Sequence, residues 1–335
     1  MNRQLATEPD TESSDPLDNA ENYPVLFEVA PPQVGNEKKR FRRHCEYLEM
    51  LFERLPVHAI NIPEIHDESG KNDRGKRRND FKRRVPPRRY ARRLSEVFDT
   101  NFIINRVAVQ APVAEQEEWL LETYHEYDID TIVLVGGESG SIEYRGPSVT
   151  EMNSLARDHL NRGKLKHGDN PADPTNFIIG NISIPTRRRS DFDEPERMWR
   201  KVQSGAEFFT TQIVLDDRSP FRLLRDFSLL LDQKPARVPT LFWSFSPIAE
   251  KKDVDFLRWL GVRIPDERAD RILSAPDPVS ESIDWTMETW QRLQEVNREL
   301  PVSLSLGINI SVMGLRNFEN GIRMAETLNA VTVTS

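Results

Sequence analysis

Cysteine is almost absent from this chain. Cys45 is the single one among 335 residues, which excludes an internal disulfide and any metal site built from a cysteine cluster. Long hydrophobic runs are missing too: no apolar stretch approaches the roughly 20 residues that a membrane span needs. The opening segment "MNRQLATEPDTESSDPLDNAEN" lacks the basic-then-apolar order of a secretory signal. It also lacks aromatics, is acidic and carries prolines, a composition that cannot bury enough apolar surface to order itself. Residues 1–22 are therefore expected as a disordered tail and 23–335 as one domain of a soluble, cytoplasmic protein. The six histidines are dispersed, with His44 in a helix, His58 at a strand start and only His66 near a strand end, so no metal-ligand spacing emerges. Nucleophile elbow, Walker loop and Rossmann glycine triplet are all wanting. Metal and covalent catalysis have no basis in the sequence.

What is present is a strong asymmetry of charge. Between Lys71 and Arg93, "KNDRGKRRNDFKRRVPPRRYARR" holds twelve Lys/Arg against Asp73 and Asp80, a net of +10, so the rest of this −8 chain carries −18. Such a block suits a polyanionic partner: nucleic acid, or a phosphorylated or polycarboxylate small molecule. A solvated helix face with its loop is the plainer reading. Phe81 and Tyr90 are the only aromatics in the block, too few platforms for base stacking, which argues against nucleic acid.

Eight near-continuous apolar, β-branched runs follow one another at 25–30, 57–62, 102–109, 131–136, 176–184, 207–215, 239–246 and 302–310, the form of parallel strands covered on both faces. Helical patterns separate them. Phe41, Leu48, Leu51, Phe52 and Leu55 make one stripe over 37–55. Asp193 as N-cap, Pro195 in the first turn and Gly205 at the end bracket 194–204, and Leu315, Phe318, Ile322, Ala325 and Leu328 repeat over 315–328. The alternation predicts an α/β fold, a single (β/α)8 TIM barrel. Residues 264–300 exceed one crossover and predict an extra helical segment before the last strand.

In such a barrel the site lies at the C-terminal ends of the strands. Polar residues gather there: Glu28, Glu64, Gln110, Glu138 in "GGESG", Arg187 to Arg189, Gln212 with Asp216 and Asp217, Ser244 and Ser246, and Asn309 with Ser311. Glu28 stands out, because it interrupts the apolar run "YPVLFEVAPP", and a buried carboxylate is costly unless it is paired or has a task. Each has a structural alternative, an ion pair for Glu28, a loop carboxylate for Glu64, a barrel-core polar network for Gln212.

"FEVAPP" resembles the "FEFFPP" opening of methylenetetrahydrofolate reductases. In the same order, "SGKNDRG" (Ser69, Gly70, Asp73, Arg74) resembles that family's Ser-Gly-x-x-Asp-Arg loop, "LVGGE" its "LRGD", "RKVQSGAEFFTTQIVLD" its "RKVDAGA…TQFFFD", and "SPIAEKKDVDFLRWLGVRIPDE" its Pro-Ile and Ile-Pro stretch. The likeness covers most of 24–329. It implies reduction of 5,10-methylenetetrahydrofolate to 5-methyltetrahydrofolate with NAD(P)H as hydride donor, in the one-carbon metabolism that leads to methionine biosynthesis. By the resemblance, Glu28 is the general acid, Glu138 stabilises charge at the redox centre and Gln212 binds the pterin. Glu64 and Asn309 at the rim are added as substrate-binding residues, and Arg74, Arg187, Arg188, Arg200 and Lys201 as cofactor-binding ones. Three of the family's flavin contacts are replaced: Gly136 stands for an arginine, the strand-three histidine has no counterpart around Asn105 to Val109, and "PTRRR" supplants "PEVH". The departures imply direct hydride transfer, with a bound FAD as the other expectation. A pterin-dependent methyltransferase and a nucleic-acid-binding protein using 71–93 are the competing readings, and a homo-oligomer is left open.

Overall fold

The structure, a computed structural model, describes residues 23–67, 80–137, 144–167, 173–187 and 193–332. Eight parallel strands close into a barrel in chain order: β1 Val25–Glu28, β2 Ala59–Ile62, β3 Asn101–Val107, β4 Thr131–Val135, β5 Ile178–Ser183, β6 Phe208–Thr211, β7 Thr240–Phe245 and β8 Ser305–Ser311. All eight expected runs are strands. β6 is shorter than its apolar run: past Thr211 the chain keeps only single backbone bonds to its neighbours, Gln212 N–H to the Ser183 carbonyl and Val214 N–H to that of Ser244. The expected tail, residues 1–22, lies outside the described residues.

Side chains on a strand point alternately to its two faces. One set, including Phe27, Ile60, Ile104, Ile132, Phe209, Trp243 and Ile310, packs outward against the helices in the large core. The other set, Leu26, Ala59, Ile103, Val133, Phe208 and Phe242, fills the barrel. Phe208 and Phe242 meet edge to face with centroids 5.9 Å apart, which needs room on the neighbouring strands. A Cβ on Gly180 would lie 2.3 Å from the Phe208 ring and one on Gly307 2.4 Å from the Phe242 ring. Glycine at these two positions is what lets two phenylalanines plug one small barrel.

Helices α1 Glu37–Arg54, α2 Pro87–Ser95, α3 Val113–His125, α4 Val149–Ser154, α5 Glu194–Ser204 and α6 Ser219–Gln233 follow β1 to β6. α5 has the expected bounds, with Gly205 closing it at φ +123°, although the Asp193 side chain makes no capping bond. After β7 come three helices, α7 Lys251–Trp259, α8 Asp266–Ser274 and α9 Pro278–Arg298. The extra segment expected over 264–300 is thus two helices, separated at Asp277, whose carboxylate accepts the N–H groups of Val279 and Ser280 and starts α9 afresh. α10, Phe318–Thr332, closes the fold after a 3₁₀ turn at Leu315–Asn317.

Candidate active site

The barrel interior changes character two residues beyond its apolar plug. Leu26 is followed by Glu28, Ala59 by Asn61, Ile103 by Asn105, Phe208 by Thr210, Phe242 by Ser244, and Gly307 by Asn309 and then Ser311. On β4 and β5 the corresponding residues stay apolar, Val135 and Ile182, both partly buried against the plug. In a closed barrel of eight, β4 and β5 lie across from β8 and β1. The mouth therefore has a polar arc facing an apolar wall. Several atoms of the arc, Asn61 Oδ1, Asn105 Oδ1, Thr210 Oγ1 and Asn309 Oδ1, are buried without a hydrogen-bond partner among the described residues. An unsatisfied buried polar atom costs on the order of 1–3 kcal/mol, so this arc is maintained against stability, as expected of a site rather than a core.

Glu28 ends β1 in register with Asn61 on β2 and Ser311 on β8. Ser311 Oγ donates to Glu28 Oε2 at 3.0 Å. Glu28 is half-buried, and desolvation in this uncharged corner pushes its pKa up from 4.5 to about 7, with the Ser311 hydrogen bond pulling the other way. A carboxyl so placed holds a proton near neutrality and can release it.

Glu64, just past β2, is engaged from three sides. Arg106 Nη1 donates to Oε1 at 2.9 Å, the Val107 N–H to Oε2 at 2.7 Å, and His66 Nε2 lies 3.4 Å from Oε2. Arg106 is itself fixed by Gln116 Oε1 at 2.8 Å and by the Trp119 ring at 4.6 Å. Burial would raise the Glu64 pKa, but His66, Arg106 and the Val107 N–H outweigh it and hold the pKa below the usual value. Both oxygens thus have partners within the protein, which fixes the carboxylate as an ion pair at the rim.

Gln212 follows β6 at the rim and donates Nε2 to the Leu260 carbonyl at 3.0 Å, which leaves its Oε1 as the group able to accept from a ligand. Asn309 is turned sideways along the sheet: its Nδ2 donates to Ser244 Oγ at 2.9 Å and to Ser311 Oγ at 3.5 Å. Asp216 and Asp217, at the end of the sixth run, are structural. Asp216 accepts the Arg218 and Ser219 N–H groups at the start of α6, and Asp217 pairs with Arg268 and accepts from Trp285 Nε1.

Of the basic residues expected at a cofactor, Arg187 and Lys201 lie close together around Glu194 and Arg200 stands apart. Arg187 Nη1 is 3.2 Å from the buried Glu194. Lys201 turns inward and donates to the Ile182 carbonyl at 2.7 Å; burial, with Arg187 and Arg197 nearby against Glu194, lowers its pKa to about 8. Arg200, the next residue back, faces solvent on α5 beside Glu196. Arg200 and Lys201 therefore meet different surroundings. Glu138, Arg188 and Arg74 lie outside the described residues.

The second half of the basic block is described, and much of it is in use. The stretch before α2 runs alongside the double proline after β1: Gln33 and Arg84 form an antiparallel bridge, Val34 N–H donates to the Arg83 carbonyl and Val85 N–H to that of Pro32, both at 2.9 Å, and Arg84 Nη1 donates to the Pro31 carbonyl. Arg88 pairs with Glu122 and lies over Trp119 and Tyr127, and Arg93 lies over Phe41. Lys82 and Arg83 stay exposed on this strap at the barrel mouth. Among the described residues no group of three His, Cys, Asp or Glu is arranged to hold a metal ion, and no helix is long and apolar enough to cross a membrane.

Sequence reasoning missed Arg106 as the partner of Glu64 and the hydroxyls of Ser244 and Ser311 as links to Glu28. The signal for the two serines was there, since each continues an inward-facing period-two row, Ser244 after Phe242 and Ser311 after Gly307 and Asn309.

No family model matches the chain, and no curated protein does. Among solved structures, an uncharacterized protein from Clostridium thermocellum that binds two copies of 5-methyl-5,6,7,8-tetrahydrofolic acid shares the fold, with a TM-score of 0.72 over 93% of this chain and 96% of that one, at 17% identity. Less similar are 7,8-dihydropteroate synthase from Vibrio fischeri ES114, with a TM-score of 0.45, 11% identity and coverage of 94% and 95%, and N-(5'-phosphoribosyl)anthranilate isomerase from Pyrococcus furiosus, at 0.41, 10%, 90% and 98%. At these identities the likeness is one of fold: the chain is an α/β barrel with a carboxyl-bearing polar arc at its mouth.

Proposed function

We propose that this barrel binds a reduced folate in its mouth and reduces 5,10-methylenetetrahydrofolate to 5-methyltetrahydrofolate, with Glu28 as the proton donor. The observation that carries the reading is the placement of Glu28: a lone carboxyl at the end of β1, in an uncharged corner, with a pKa near 7. The methylene bridge joins N5 and N10, and hydride can add only after the bridge opens to an iminium at N5. Opening needs a proton on N10, hence an acid still protonated at neutral pH. The apolar wall of Val135 and Ile182 suits one face of a planar heterocycle, and the opposed amides and hydroxyls suit its polar edge. A fold shared with a protein that binds 5-methyltetrahydrofolate, the product of this reaction, agrees with the motif order quoted above.

The hydride is assigned to a reduced nicotinamide bound together with the folate and passing it directly. Support comes from the replaced flavin positions and from the diverging Arg200 and Lys201. The test is to purify the protein with and without added FAD, record its spectrum, and assay methylenetetrahydrofolate-dependent oxidation of NADH and NADPH. Colourless protein with sequential kinetics is expected. Stoichiometric FAD with parallel-line kinetics overturns the direct transfer and keeps the reductase. Consumption of 5-methyltetrahydrofolate without nicotinamide oxidation, in the presence of a thiol or corrinoid acceptor, transfers the reading to a methyltransferase.

A further inference from the structure

Glu28 is one end of a hydrogen-bond chain across four strands. Ser311 Oγ donates to it; Asn309 Nδ2 donates to Ser311 Oγ and also to Ser244 Oγ on β7; and the Ser244 N–H donates to Thr211 Oγ1 on β6 at 2.9 Å. With Asn309 Nδ2 on its lone pair, the Ser311 hydroxyl has its proton directed at Glu28, an arrangement that suits the carboxylate. In that state Asn309 Oδ1 is buried and has no donor. A protonated Glu28 would reverse the chain: its O–H donates to Ser311 Oγ, and the Ser311 proton must then turn toward Asn309. Half a turn of the Asn309 amide presents Oδ1 to it, because the carboxamide carries donor and acceptor in nearly the same shape, and Ser244 Oγ, released by Nδ2, turns its own proton to the same oxygen. The oxygen that is orphaned in one state is satisfied in the other.

We infer that Ser311 and Asn309 are positioning residues for Glu28, a reversible relay on β8 that holds the carboxyl in one place in both of its protonation states. The inference rests on Glu28 being the proton donor only for its use, not for its existence. The residues in register with Glu28, Asn61 on β2 and Ser311 on β8, do not ionise, and the facing wall is Val135 and Ile182. Neither β8 residue needs to touch substrate for this task. The relay would let Glu28 lose and regain its proton in each turnover without leaving its hydrogen-bonded position.

The test reads the proton directly, by difference infrared spectroscopy of the full chain. The carboxylic acid C=O band present in wild type and absent in Glu28→Gln is the Glu28 signal, and its intensity is followed against pH. In Ser311→Ala the midpoint should move up by about one pH unit, because of the two hydrogen bonds lost the one to the charged form is the stronger, and Ser311→Thr should restore it. Asn309→Val, which keeps Ser311 but frees its hydroxyl, should broaden the band and shift the midpoint less. The alkaline limb of kcat/KM should move with the band. Ser311→Ala with an unchanged midpoint in folded protein overturns the relay, as does Asn309→Val with wild-type band and midpoint. Turnover retained in Glu28→Gln would remove the proton-donor role while leaving the infrared result intact, so the two failures are separate.

Discussion

Glu28 and Glu64 stand beyond adjacent strands at the same mouth, and their surroundings displace their protons in opposite directions. Around Glu28 the neighbours are neutral, Asn61 and Ser311, and burial dominates, so the acid form survives to about pH 7. Around Glu64 there is burial too, but with His66, Arg106 and a backbone N–H aimed at its oxygens, and the charged form is held instead. The difference is made by one guanidinium and one imidazole. A single rim can thus hold one carboxyl as a proton reservoir and another as a fixed anion, which is how two glutamates take separate roles.

The contrast is broken most severely at Glu28. Glu28→Gln keeps the shape and can still accept from Ser311, but has no proton to give. Loss of a general acid costs on the order of 10²–10⁴-fold in rate, so methylenetetrahydrofolate-dependent nicotinamide oxidation should nearly vanish while folate binding, read by fluorescence or calorimetry, stays within a few fold. Wild-type-like turnover would end the role of Glu28.

At Glu64 the break should appear as stability. Arg106→Met leaves a buried carboxylate with one of its three partners gone, and removing one member of a buried pair costs on the order of 3 kcal/mol. A fall in Tm is expected, with part of it recovered in the double variant Arg106→Met with Glu64→Gln, where no charge is left behind. Equal Tm for Arg106→Met and wild type would show that the pair contributes nothing.

The pH dependence of stability sharpens the comparison, because the signs are opposite. Glu28 has its folded pKa above the unfolded value, so the folded state holds the extra proton. Its contribution is complete below about pH 4.5 and is lost as pH rises through about 7. Relative to Glu28→Gln, wild type should lose about 3 kcal/mol between pH 4 and pH 8. Glu64 has its folded pKa depressed, so its contribution is complete above the unfolded value and is lost as pH falls through the folded one. Relative to Glu64→Gln, wild type should weaken on acidification. Denaturant midpoints of the three proteins from pH 3 to pH 8 test both slopes, and parallel curves would contradict both assignments.

Much of this was legible in the sequence, and the reason is the period of the strand. Eight apolar runs mark eight buried strands whatever helices cover them, and the end of each run locates the mouth. Glu28 was visible because it breaks an apolar run. Its high pKa was not, since that depends on what β2 and β8 bring beside it: Asn61 is 33 residues away and Ser311 lies at the far end of the chain. Arg106 was equally hidden. It sits inside the run 102–109 and reads as a tolerated strand residue until the barrel sets it 2.9 Å from Glu64. Arg200 and Lys201 show the converse. Neighbours in sequence, they look like one basic pair, but successive helical residues are about 100° apart and face different surroundings.

The smallest expected effect concerns the basic strap. The bridge between Gln33 and Arg84 and the two backbone bonds around it fix residues 83–85 beside the double proline that follows Glu28. Lys82 and Arg83 are thereby exposed at the mouth, on the Glu28 side, whereas Arg84, Arg88 and Arg93 have partners within the protein. A folate whose ring enters the mouth would leave its carboxylate tail outside, within the field of these two cations. Exposed charges act through water and salt, each worth a few tenths to about 1 kcal/mol. Lys82→Ala with Arg83→Ala should therefore raise KM by roughly two- to tenfold for a polyglutamylated folate, less for the monoglutamate, and leave kcat unchanged. The difference between the two substrates should shrink as salt is raised from about 0.05 to 0.5 M, as the screening length falls. An equal rise in KM for both tail lengths would place the effect on the ring or on the nicotinamide, and tight retention of RNA by wild type but not by the double variant would turn the strap into a nucleic-acid surface.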